Sequence, residues 1–162
     1  MSLRYVVDGY NLIHHPLFSK AFHKTENPAQ ALLQCIGMHH LTGSAKNPLV
    51  VVFDGYPPRA FQERASAQVV FSLDESADEY IKRLIQNAPA PRALRVVSDD
   101  REIVSCARAH RACAVSGDEF FAPLQKVKNE SARQRREEEN DHKLGYAQIQ
   151  EINKELKDKW LK

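Results

Sequence analysis

The chain has few cysteines, and none is paired by spacing. Cys35, Cys106 and Cys113 are odd in number, widely separated and without a C-x-x-C, which argues against a cysteine-built zinc site and against a disulfide framework. Cys106 and Cys113 stand in apolar stretches and are expected to be buried, since a free thiol packs as a small hydrophobe. No apolar run approaches the ~18 residues of a membrane span, and the N-terminus carries no signal-peptide pattern. A cytoplasmic protein with no membrane partner is expected. Histidines adjoin at His14-His15 and His39-His40, but neighbouring histidines rarely ligate one ion and no H-x-x-x-H accompanies them, so they read as surface or loop residues. A strong charge of either sign is also missing. The formal charge is +2, so any attraction for nucleic acid must be local. There is no internal repeat.

What is present suits a soluble globular chain: 162 residues, 43% hydrophobic and 27% charged, enough for one domain with a sizeable core. Apolar runs at Leu3–Val7, Leu49–Phe53, Gln68–Ser72, Ala93–Val97 and Cys113–Val115 read as strands. The second, a β-branched run, suits a strand buried on both faces. Helical stripes fall between them: Pro28 to Leu41 after an Asn27 cap, Ser76 to Gln86, Asp100 to His110, and Asp118 to Gln125. The alternation predicts a mainly parallel sheet with helices on both faces. Gly55 to Ser66 reads as irregular, and its length leaves the direction of the 68–72 strand open.

From Lys126 the character changes. Lys126 to Lys162 carries ten Lys/Arg and eight Asp/Glu, which predicts a charged helical extension beyond a domain of residues 1–125. Ile149, Ile152, Leu156 and Trp160 fall at helical spacing, a seam narrow enough that this helix should dock on the domain or on a partner.

Carboxylates follow the strands at one end of such a sheet: Asp8, Asp54, Asp74-Glu75, Asp99-Asp100 and Asp118-Glu119. Function in open parallel sheets gathers outside that end. Crowded carboxylates raise one another's pKa, and a hard cation such as Mg²⁺ or Mn²⁺ resolves the conflict. Each acid also has a plainer explanation. Asp8-Gly9 and Asp54-Gly55 make turns, with Gly9 letting the backbone bend sharply. Ser76-Ala77-Asp78-Glu79 is a capping box, and Asp99-Asp100-Arg101-Glu102 and Ser116-Gly117-Asp118-Glu119 share its spacing. Composition and spacing alone thus give an acidic rim and no reaction.

Val7-Asp8-Gly9-Tyr10-Asn11-Leu12, Val52-Phe53-Asp54-Gly55, Val69-Val70-Phe71-Ser72, Ser76-Ala77-Asp78-Glu79-Tyr80-Ile81 and Val97-Ser98-Asp99-Asp100-Arg101-Glu102-Ile103 occur in this order. Together they resemble the NYN domain, in its YacP-like branch, from about Leu3 to Leu124. The resemblance implies a PIN-like three-layer α/β/α sandwich of the 5′-nuclease-like superfamily. It further implies metal-site acids at Asp8, Asp78 and Asp99, with Asp54 and Asp100 in a second tier. Asn11 would orient Asp8 or touch the substrate phosphate. The activity implied is that of a metal-dependent ribonuclease, an endonuclease on single-stranded or messenger RNA, using Mg²⁺ or Mn²⁺ to activate water. The charged extension lies outside the motif set.

An RNA substrate needs cations beside the acids. Arg59, Arg64 and Arg101 are placed for this, and Tyr10, Tyr56 and Tyr80 stand near acidic motifs where bases could stack. RNA is the expected partner, with the ribosome or another protein as a further partner for the C-terminal tail. Two rivals remain: a non-catalytic RNA-binding or adaptor module on the same fold, and a small-molecule phosphatase with Asp8 as nucleophile. Tyr10 occupies the position where the phosphatase would need its second acid.

Overall fold

A computed structural model describes residues 2–22, 24–58, 61, 67–126, 129–130 and 132–136. The chain divides into two compact units, Met1–Pro123 and Leu124–Lys162. In the second, residues 124–126, 129–130 and 132–136 are helical. The seam from Ile149 to Trp160 lies outside the described residues.

The first unit is built on five strands: β1 (Arg4–Asp8), β2 (Leu49–Phe53), β3 (Gln68–Phe71), β4 (Leu94–Val97) and β5 (Cys113–Val115). Every pairing is parallel and the spatial order is β3-β2-β1-β4-β5. The direction of β3, open from the sequence, is therefore parallel. The chain steps outward from β1 to β3, then returns to the other side of β1. This makes β1/β4 a topological switch point, with a crevice at the strands' carboxyl ends.

Alternation along the strands builds two cores. Val6, Val50, Val52, Leu94 and Val96 pack with Ile81 and Ile85 of α4 (Ala77–Gln86) and with Ile103 and Ala107 of α5 (Arg101–Ala109). Val7, Val51 and Val97, fully buried, face the opposite way. Two short helices not expected from the sequence, α1 (Gly9–His14) and α2 (Pro16–Phe22), precede α3 (Pro28–Met38). Helix α1 packs on β2 and α3. A sixth helix, α6, begins at residue 117, and its Phe120 ring stands 6.4 Å from Tyr5. The result is the expected three-layer arrangement.

Three local expectations are corrected. Gly9 does not serve a bend, since only Gly43 and Gly55 among the described glycines have positive φ. A Cβ on Gly9 would stand 2.3 Å from the Phe53 ring, so glycine is there for the close approach of α1 to β2. Cys113 is exposed because β5 is an edge strand, and Cys106, in α5, is only half-buried. His15 is buried rather than on the surface, enclosed by Phe121, whose ring centroid is 5.4 Å away.

Candidate active site at the switch point

Asp8 closes β1 and is only 5% exposed, so its carboxylate must find partners inside the protein. It caps α1, with Oδ1 accepting the Asn11 backbone N–H at 3.1 Å. Oδ2 accepts from the Ser98 hydroxyl at 3.0 Å. Ser98 follows β4, is itself buried, and its oxygen also accepts the Asp100 N–H at 3.1 Å. One small hydroxyl thus joins the ends of the two strands that flank the switch point. Burial raises the Asp8 pKa; the two hydrogen bonds oppose this, and the nearby charges of Asp78 and Asp54 add to it.

Asp78 lies in the first turn of α4. Its pKa is also raised, first by burial and then by Asp100, with Asp54 and Glu102 adding and Lys82 opposing. Asp54 reaches across from the end of β2 and accepts the Ala77 N–H at 2.8 Å, beside the Ser76 cap on the Glu79 N–H at 3.2 Å. Asp100 caps α5, accepting the N–H groups of Glu102 and Ile103 at 2.8 and 3.1 Å. Asp8, Asp54, Asp78 and Asp100 are therefore electrostatic neighbours, each held by backbone or placed on a helix start.

Asp99 is turned elsewhere. The sequence placed it at the head of the α5 capping box, but the cap is Asp100, and Glu102 pairs with Lys82. The Asp99 carboxylate accepts from the Gly117 N–H at 3.0 Å, at the start of α6. Its other oxygen faces His15 Nε2 at 4.0 Å, and Asp118 stands 3.5 Å from the same nitrogen. His15 Nδ1 accepts the Leu17 N–H at 3.3 Å, which leaves the ring proton on Nε2, toward the acids. The Asn11 side chain ties the two halves together by accepting the Asp99 N–H at 3.1 Å. Ser116 and Glu119 form the one reciprocal capping box among the described residues, at 3.2 and 3.1 Å.

The flanks are mixed. Tyr10 and Tyr56 are exposed. Tyr10 lies against His14 at 4.3 Å, and the Tyr56 hydroxyl donates to Asp74 at 2.8 Å. Glu75 forms a two-pronged pair with Arg83, 2.7 Å at each contact, which lowers its pKa and removes it from the crowded set. Arg83 also lies over the Tyr80 ring at 4.8 Å. Arg101 is exposed on the first turn of α5. Arg59 and Arg64 lie outside the described residues. Among the described residues, no three His, Cys, Asp or Glu side chains form a ready-made metal cage.

Sequence reading missed Ser98, His15 and Gly117. A serine between a buried strand and an acid pair is the only local signal for the first. The other two depend on α6 folding back against residues a hundred positions away.

An all-parallel, doubly wound sheet with acids gathered at its switch point defines an α/β protein of the kind in which ligands bind in that crevice. The chain belongs to the YacP-like NYN domain family, whose model matches residues 5–162. That match runs past Leu124, where the motif resemblance ends, and takes in the charged extension. No curated protein matches the chain. Among solved structures, a tryptophan-to-leucine mutant of Rae1 (YacP) from Bacillus subtilis is similar at 25% identity, covering 85% of this chain and 83% of that one, with a TM-score of 0.57. A second structure of Rae1 (YacP) from Bacillus subtilis covers 99% and 94% at 22% identity, TM-score 0.59, a likeness of fold.

Proposed function

We propose that this chain is a divalent-metal-dependent ribonuclease cutting single-stranded or messenger RNA internally. The observation that carries the reading is the gathering of Asp8, Asp54, Asp78 and Asp100 at the switch point, where burial and neighbouring acids disfavour Asp8 and Asp78 as anions. Such a site is poised for a cation. Mg²⁺ is usually held by one or two carboxylates, several waters and substrate phosphates rather than by a protein cage, so two converging carboxylates without a closed triad fit Mg²⁺ or Mn²⁺. Asp8 and Asp78 would hold it, with Asp99 reached through Asn11 and with Asp54 and Asp100 behind. When bound, the ion activates water and neutralises charge on the leaving oxygen.

The chain's own residues do the rest. Ser98 and the Asn11 N–H fix the Asp8 carboxylate, and the Gly117 N–H fixes that of Asp99. Arg101 and the exposed Tyr10 and Tyr56 stand at the same end of the sheet, available to the phosphate and bases of a strand. Single-turnover cleavage of a labelled single-stranded RNA, with and without Mn²⁺, tests the reading. Asp8→Asn and Asp99→Asn should each lower the rate by at least about a hundredfold while RNA binding is kept or tightened. Cleavage at the parental rate by both variants, with contaminating nuclease excluded, would return these acids to capping and turn-making.

A further inference from the structure

The charges of the first unit are sorted by the two ends of the sheet. Asp8, Asp54, Asp99 and Asp100 follow strands at the carboxyl end. Arginines occupy the amino end: Arg4 opens β1, Arg92 lies in the 3₁₀ turn Pro91–Ala93 that leads into β4, Arg95 is the second residue of β4, and Arg111 precedes β5. The register sets Arg4 beside Leu94 and Arg95 beside Cys113, so all four stand at the amino end, with Arg4 on the α4 face of the sheet and Arg95 on the other face, by strand alternation. Arg95 Nη1 donates to the Arg92 carbonyl at 3.2 Å, which ties the turn to the strand. The ion pairs among described residues take up Lys82, Arg83 and His15; none takes up these four.

Two further observations fall on the same spot. A hollow of about 340 Å³ is lined by Ala90, Pro91, Arg92, Ala93 and Arg111, three apolar residues and two arginines. Arg111 also stands at φ +62, ending α5 in the left-handed conformation that normally belongs to glycine. A side chain there costs roughly 1–2 kcal/mol, so the backbone gives no reason for arginine at this position.

We propose that this amino-end edge is a second RNA-binding surface. One nucleotide's base and ribose rest in the hollow, its phosphates pair with Arg92 and Arg111, and the strand continues past Arg95. Ala90, Pro91 and Ala93 give a base and ribose apolar surface to bury, which the carboxylates of an acidic peptide would not use. The proposal rests on the RNA substrate of the ribonuclease reading but uses none of its acids. A five-residue strand separates the two ends by roughly 17 Å, so this surface anchors RNA without touching the reacting phosphate.

The test is fluorescence anisotropy of a labelled single-stranded oligoribonucleotide across a salt series in EDTA, where no cleavage occurs. Arg92→Gln with Arg111→Gly should weaken binding roughly tenfold and make the salt dependence shallower by about 1.4, two contacts of ~0.7 each. Arg111→Gly relieves the left-handed strain, so the melting temperature should hold or rise, which removes misfolding as a cause. With metal restored, the doubled variant should show a raised KM and an unchanged rate at saturating RNA. Unchanged affinity and slope overturn the proposal, as does an equal loss in the charge-matched Lys20→Gln, Lys24→Gln control. So does displacement of the RNA by polyglutamate as effective as by unlabelled RNA at equal charge, which makes the edge a surface for acidic protein. A parent that binds through this edge yet never cleaves with Mn²⁺ sinks the ribonuclease reading and leaves this one standing.

Discussion

Gly117 leaves no room for a side chain. A Cβ there would stand 2.5 Å from His15 Cδ2 and 2.7 Å from Asp99 Oδ2. His15 is boxed in by Phe121 and by its bond from the Leu17 N–H, so the carboxylate is the group that must move. Gly117→Ala should therefore cost about 1–3 kcal/mol, read as a lower denaturation midpoint. It should also slow RNA cleavage more than RNA binding. Parental stability in this variant would mean that the close approach is absent. At this scale the sequence is half legible. Asp8 announces itself because a carboxylate directly after a buried run must be satisfied. Asp99 and Asp100 cannot be told apart as caps by spacing, since either can precede a first turn, and the choice is made by Ser98 and by a Gly117 N–H far along the chain. His15 looks like any loop histidine until α6 covers it.

The start of α4 shows how two acids near one another can do different things. Ser76 accepts the Glu79 N–H and Asp54 accepts the Ala77 N–H, so two of the four free donors of the helix are met. Asp54 also adds negative charge near Asp78 and Asp8. Substitution separates the roles. Asp54→Asn keeps an acceptor and removes the charge, whereas Asp54→Ala removes both. Without divalent metal, the alanine variant should be less stable than the asparagine variant by about 1 kcal/mol, the usual worth of a cap, in urea denaturation. Equal stabilities would show that the Ala77 contact contributes nothing. Among the elements, β2 and the longer helices α3, α4 and α5 were legible because each carries several turns or a full run of periodicity. Helices α1 and α2 were not, since six and seven residues give fewer than two turns of pattern. The direction of β3 was hidden because a connection of that length serves either pairing.

For the whole molecule, strand and helix alternation announces a parallel sheet, but strand order is a tertiary fact, and the switch point beside β1 depends on it. What the order creates is a concentration of negative charge at one end of the first unit, and it has a consequence for stability. Asp8 and Asp78 have pKa values raised by folding, so each binds its proton more tightly folded than unfolded. The stability they contribute is complete below the ordinary carboxylate range and is lost as pH rises through their raised values. Metal-free protein should thus lose melting temperature as pH climbs from about 4 toward neutrality, and Asp8→Asn should flatten that decline. A divalent ion that binds only the folded acids reverses it by mass action, supplying about 2.7 kcal/mol at a hundred times its Kd. For a domain of this size that is a rise of roughly 5–10 °C, present at neutral pH and fading under acid as the carboxylates take up protons. Differential scanning fluorimetry across pH, with EDTA or Mn²⁺, reads all three trends on one plate. A melting temperature indifferent to Mn²⁺ at neutral pH, in a protein whose metal-free stability does fall with rising pH, would leave the crowded acids real but without the ion proposed to reconcile them.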